Sequence, residues 1–111
     1  MKIQTQEYND VIVVEMQGEF TAEFCKNFRD SLSSVVASRC GAVVLDMTSV
    51  GFLDSKALEE ILWLDDFCHE NTTQLKLAGL DENCRKILEL TRLGPRFDTY
   101  NELSEAVKSF V

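Results

Sequence analysis

Ala42-Val-Val-Leu-Asp-Met-Thr-Ser-Val-Gly-Phe-Leu-Asp-Ser-Lys-Ala-Leu58 decides the fold. Its first part, Ala42 to Asp46, is a short continuous apolar run. Such a run suits a strand buried on both faces of a parallel sheet. Residues 48–54 read as a loop. From Ser55 the pattern turns helical and holds to about Glu70. A buried strand that feeds a helix is the building unit of an open α/β sheet. In such sheets, sites form beyond the carboxyl ends of the strands.

The segments upstream repeat the alternation. Residues 3–7 alternate weakly, and residues 10–17 are β-branched and read as a buried strand. Tyr8-Asn-Asp10 supplies turn chemistry between them, so the two strands should pair antiparallel. Gly18 ends the second strand. A helix from about Thr21 to Ser38 carries Phe24, Cys25, Phe28, Leu32, Val35 and Val36 on one face. Thr21 is its N-cap candidate, and Cys40-Gly41 closes the connection.

Downstream, Asn71 to Thr73 breaks the chain, and residues 75–79 form another strand. A helix runs from Asp81 or Glu82 to Leu93 and is stopped by Gly94-Pro95. Residues 97–100 are a short strand or extended link. A last helix, from about residue 101 or 102 to 110, presents Leu103, Ala106, Val107 and Phe110 as one stripe. The expected fold is a single α/β domain over residues 1–111. It has a four- to five-stranded mixed sheet, about four helices and an antiparallel first strand.

Composition excludes several functions. Eleven Lys and Arg against 19 Asp and Glu give a net charge of −8, which disfavours nucleic acid and anionic membrane surfaces. Pure apolar runs reach only four residues, which rules out membrane insertion as a helix of ~20 residues. Met1 to Asp10 has no apolar block, so a signal peptide is not expected and the location should be cytoplasmic. Cysteines at 25, 40, 68 and 84 contain no Cys-x-x-Cys pair, and free thiols are expected rather than a metal site. His69 reads as a surface residue at a helix end.

The junction Asp54-Ser55-Lys56-Ala57 is where chemistry could sit. Asp54 or Ser55 can cap the free N–H groups of the helix. A nucleophilic serine would want Gly-x-Ser-x-Gly and a later histidine, but positions 53 and 57 are Leu and Ala. No phosphate-binding Gly-rich loop occurs. No enzyme and no cofactor are expected.

Val43 to Leu58, with Phe52-Leu-Asp-Ser55 at its centre, resembles the signature of STAS domains, the family of bacterial anti-sigma factor antagonists. Met16-Gln-Gly-Glu19, Leu75-Lys-Leu-Ala-Gly79 and Phe97-Asp-Thr-Tyr-Asn101 extend the resemblance along the chain. The resemblance implies a switch. Ser55 would be phosphorylated by an anti-sigma factor that is itself a serine protein kinase, with Asp54 and Lys56 supporting the site. The unphosphorylated form would bind that kinase and free a sigma factor, and a PP2C-type phosphatase would reset it. Two positions depart from the family pattern: Ala57 stands where it usually has a small residue such as Gly, and Phe20 where it often has Asp. The alternatives are a STAS subunit of another complex, such as a lipid-transport ATPase or a stress-signalling assembly, and a small nucleotide-binding protein.

The second helix offers a further clue. Ala57, Ile61, Leu64 and Cys68 form its core face, yet Leu62, Trp63 and Phe67 widen the apolar arc. Either a neighbouring helix buries Trp63 and Phe67, or Phe52, Leu53, Leu62, Trp63 and Phe67 form a partner-binding patch beside Ser55. The helix region also gathers Asp54, Glu59, Glu60, Asp65 and Asp66 against Lys56 alone. That charge predicts a partner with basic residues.

Overall fold

The computed structural model describes residues 1–38 and 41–110. Arg39, Cys40 and Val111 lie outside the described residues, so the expected thiol at Cys40 is not described. Among the described residues the order is β1 (Lys2–Tyr8), β2 (Val11–Phe20), a 3-10 turn (Ala22–Phe24), α1 (Cys25–Ala37), β3 (Ala42–Leu53) and α2 (Ser55–Glu70). Then follow β4 (Gln74–Ala78), α3 (Glu82–Leu90), a second 3-10 turn (Gly94–Arg96), β5 (Asp98–Tyr100) and α4 (Leu103–Lys108). The strands form one sheet in the order β1-β2-β3-β4-β5. β1 is antiparallel to β2, and every later pairing is parallel. The expected α/β class and mixed sheet therefore hold.

Period-2 alternation sorts the strands between two cores. Ile12, Val14, Met16, Val43, Leu45, Met47 and Leu77 point to the side covered by α1, α2 and α3. Val11, Val13, Ala42, Val44 and Ala78 point to the other side, where α4 lays Ala106, Leu103, Val107 and Phe110. Lys76 also lies on the α4 side and is buried. Its Nζ donates to Ser109 Oγ at 2.6 Å and to the Tyr100 hydroxyl at 3.2 Å, beneath the Phe110 ring. A buried ammonium needs such partners, and these tie α4 to the sheet.

Several boundaries differ from the sequence expectation: α1 starts at Cys25, behind a 3-10 turn, rather than at Thr21, and three further differences have a clear physical cause. Residues 48–53 belong to β3 and are not a loop. Val50 and Leu53 stay buried while Thr48, Ser49, Gly51 and Phe52 are exposed. Two register shifts against β2, between Glu15 and Gln17 and between Gly18 and Glu19, break the simple alternation. Gly18 does not end β2. It takes φ +112° inside the irregular stretch, and pairing continues to Phe20.

The third difference is the end of α3. Gly94 is not its stop: the helix ends at Leu90, and Arg92 takes the left-handed conformation at φ +61°. Arg92 N–H donates to Glu89 O, and Leu93 N–H donates to Leu88 O. That is the paired bonding of a Schellman cap, with arginine where glycine is usual.

Gly79 is a position that demands glycine. It follows β4 with φ +72°, and a Cβ there would lie 3.1 Å from the Thr48 backbone and closer still to its Oγ1. Thr48 is held in place because its N–H and hydroxyl both donate to the buried Asp46 carboxylate, at 3.1 and 2.6 Å.

Candidate functional site

The junction of β3 and α2 is built around Asp54. Its backbone is extended, with φ −92° and ψ 179°, as an N-cap requires. One carboxylate oxygen accepts from Ala57 N–H at 2.8 Å and caps α2. The other accepts from Ala22 N–H at 2.8 Å, across 32 residues of chain. One side chain therefore satisfies the start of α2 and the start of the turn that opens α1. Thr21, the expected cap of that helix, makes no side-chain capping bond. Asp54 N–H donates to Phe20 O at 3.2 Å, closing the end of β2 onto the same point.

Ser55 is the first residue of α2 and is exposed. Because Asp54 does the capping, the Ser55 hydroxyl has no hydrogen-bond partner among the described residues. Lys56 is exposed beside it and pairs with Glu59 at 3.5 Å. Phe52 is 45% exposed on the strand leading in. The three expected site residues Asp54, Ser55 and Lys56 are thus contiguous at one helix entrance, with Phe52 nearby in the chain.

Leu53 is a correction. It is 2% exposed and packs in the core, so it offers no surface to a partner. The register that pairs Phe20 with Leu53 turns its side chain inward. Phe20, which stands where an Asp is common in the resembling family, is fully buried. Its ring packs on Phe28 at 4.7 Å and edge-on to Phe24 at 5.9 Å. At this place the chain spends an aromatic on seating α1.

Leu62, Trp63 and Phe67 are half-buried against the core. Trp63 and Phe67 stack with centroids 5.1 Å apart and ring planes 13° apart. The Arg29 guanidinium of α1 lies 4.4 Å from the Trp63 ring centroid. It also forks onto Glu60, Nε to Oε2 at 2.9 Å and Nη2 to Oε1 at 3.1 Å. α1 therefore covers part of the aromatic pair and leaves part exposed. Sequence spacing placed Trp63 off the core face, but it could not show a cation arriving from another helix.

The acidic field expected along α2 is partly neutralised within the molecule. Glu60 pairs with Arg29, while Asp65 and Asp66 pair with Arg96 at 3.0 and 2.6 Å. Five carboxylates there face three cations, Lys56, Arg29 and Arg96, so the acidic excess behind the expected basic partner surface is reduced but not removed. Cys25 lies close by, its Sγ bonded to Thr21 O. Burial, then the charges of Glu60 and Asp54, push its thiol pKa up. Among the described residues, no cluster of three or more His, Cys, Asp and Glu could hold a metal. No described helix is long and apolar enough to cross a membrane.

The sequence profile of the STAS domain matches residues 2–106. A STAS-domain containing protein of Pseudomonas aeruginosa (strain UCBPP-PA14) is 30% identical over 86 residues, 78% of this chain and 84% of that protein. An anti-sigma factor antagonist from Mycobacterium paratuberculosis superposes with a TM-score of 0.88 at 23% identity, covering 97% of this chain and 92% of that one. The anti-sigma factor antagonist SpoIIAA in its unphosphorylated form gives 0.85 at 16% identity, covering 98% and 96%. Its phosphorylated form from Bacillus gives 0.77 at 16% identity, covering 99% and 100%. At these identities the structures attest the fold, and the profile covering nearly all of the sequence attests the descent: the chain belongs to the STAS domain family.

Proposed function

We propose that this chain is a non-enzymatic, phosphorylation-switched interaction module of the anti-sigma factor antagonist kind, working in the cytoplasm. Ser55 is the phosphoacceptor. The unphosphorylated form binds an anti-sigma factor that is a serine kinase and so releases a sigma factor. A PP2C-type phosphatase restores the hydroxyl.

The observation that carries this reading is the division of labour at the helix entrance. Asp54 holds the cap, so the exposed Ser55 hydroxyl can be modified without dismantling α2. A phosphate adds about −1.5 to −2 charge at neutral pH. It would sit at a helix N-terminus, which tolerates anions, one residue from the Asp54 carboxylate. The fold survives, and the surface that a closely packed partner must desolvate becomes strongly anionic. Phe52, Leu62, Trp63 and Phe67 supply the apolar contacts of that surface. Lys56 flanks the acceptor and is free to exchange Glu59 for the phosphate.

The test is incubation with a cognate kinase and ATP, read by intact mass and phosphopeptide mapping. The expected result is one added phosphate on Ser55, none on Ser55→Ala, and loss of kinase binding once the phosphate is in place. An unmodified Ser55 would overturn the reading.

A further inference from the structure

We infer that a second docking site, for an extended acidic peptide segment of a partner protein, lies in the groove between the end of α3 and the edge strand β5. It shares no residue with the Asp54–Ser55 junction and goes beyond the phosphoswitch reading.

The groove has a volume of about 380 Å³, within the ~300–1,000 Å³ range of ligand pockets. Leu80, Leu88 and Pro95 give it an apolar floor, and Thr99 of β5 lies along one wall. β5 is the last strand of the sheet, paired on one side with β4. An outer strand edge can accept an added extended chain. Two guanidiniums line the same groove, Arg85 and Arg92.

Charge complementarity selects the occupant. The chain carries −8 overall, yet neither of these arginines is ion-paired among the described residues. The other described arginines, Arg29 and Arg96, both hold carboxylates. Arg85 instead donates through Nε to Leu80 O and through its Nη2 to Asn101 Oδ1, both neutral acceptors. Those bonds fix the guanidinium without cancelling its charge. Arg92 occupies the left-handed cap position that favours glycine, at φ +61°. The backbone strain at this residue delivers a cation to the groove wall. Glu89 is also in the lining and opposes an acidic ligand from its side, so the acids of the peptide belong with the arginines. An apolar floor between two guanidiniums that form no ion pair among the described residues fits a segment alternating carboxylates with aliphatic side chains.

Arg92→Gly gives a clean test, because glycine suits the backbone there and the fold is kept or strengthened. A fluorescein-labelled decapeptide of alternating Glu and Leu is titrated with unphosphorylated protein, with a Gln-Leu decapeptide of equal length as control. Binding is expected for the acidic peptide only, weakened at least fivefold by Arg92→Gly or Arg85→Gln, strengthened by Glu89→Gln, and reduced by added salt. NMR shifts on binding should map to Leu80, Leu88 and Thr99. Equal binding to Arg92→Gly, equal binding of the neutral peptide, or no binding at millimolar protein would overturn the proposal. So would shifts mapping to α2, or displacement by millimolar phosphate or glutarate at the same residues, which would mark a small-anion pocket. The assay involves neither Ser55 nor a kinase, so its failure leaves the phosphoswitch untouched.

Discussion

Asp54→Ala should cost the fold far more than Ser55→Ala, and the difference can be worked from two bonds. Asp54 accepts from Ala57 N–H and from Ala22 N–H, each at 2.8 Å. Losing an Asp N-cap costs about 1 kcal/mol, within a range of about 0.5–2. A hydrogen bond to a charged group is worth about 1.5–3 kcal/mol when shielded. Ala22 is exposed and water can replace the carboxylate there, so about 1 kcal/mol is the fitting figure for the second bond. The sum is about 2 kcal/mol, which for 111 residues lowers Tm by roughly 8 °C. Ser55→Ala removes an exposed hydroxyl without a partner and should fall within about 0.5 kcal/mol of wild type. Asp54→Asn keeps one acceptor oxygen and should lose about half as much as Asp54→Ala. Urea denaturation at pH 7, followed by far-UV circular dichroism, measures all three. If Ser55→Ala proves as costly as Asp54→Ala, the serine is the structural cap, and the argument that it is free for modification collapses. If Asp54→Ala costs less than about 0.5 kcal/mol, Asp54 does not pin the two helices together.

Gly79→Ala meets both a left-handed backbone and the Thr48 backbone; a loss of at least ~2 kcal/mol is expected in the same denaturation assay, and Thr48→Ala should rescue it only in part. Arg92→Gly should stabilise the chain by about 0.5–1 kcal/mol, seen as a higher urea midpoint at unchanged slope. Trp63→Ala breaks the stack on Phe67 and the contact with Arg29; a cost of about 2 kcal/mol is expected, and partner binding must then be compared at temperatures where both proteins are folded. Burial, then the hydrogen bond with Asp81 and its charge, push the Cys84 thiol pKa up from 9.0 to about 12. A raised thiol pKa stabilises the fold below its unfolded value and loses that contribution as pH climbs, here from about 9 toward about 12. Denaturation midpoints should fall across that window, and less steeply in Cys84→Ala.

Much of the fold was legible because local pattern and tertiary packing agree. The apolar run Ala42–Leu45 is buried on both faces of the sheet, and the stripe Leu103–Ala106–Val107–Phe110 packs where its spacing points. The errors fall where that agreement fails. Residues 48–53 look like a loop because two irregularities shift the alternation, and strand pairing restores what periodicity alone cannot show. Gly94 looked like the end of α3 because glycine is the usual cap residue; the chain uses Arg92 instead. At the candidate site, adjacency carried the reading of Asp54, Ser55 and Lys56. The second bond of Asp54 spans 32 residues, and the ion pairs that quiet α2 join residues about 30 apart. No scan of neighbouring residues contains such information. Leu53 was misassigned for the same reason, since its direction is set by a partner strand.

The strand order β1-β2-β3-β4-β5 bears on how the molecule is assembled. Spatial order equals chain order, so every strand after β1 finds its first neighbour already made. A chain leaving the ribosome N-terminus first can close the β1–β2 hairpin, a microsecond event, and then add each strand–helix unit to a finished edge. No insertion between two standing strands is ever required. At each stage only the newest edge awaits a mate, and the next segment synthesised supplies it. That growth leaves two open edges, β1 over Lys2–Tyr8 and β5 over only Asp98–Tyr100, and the longer one, exposed from the first stage, is the larger template for stray chains.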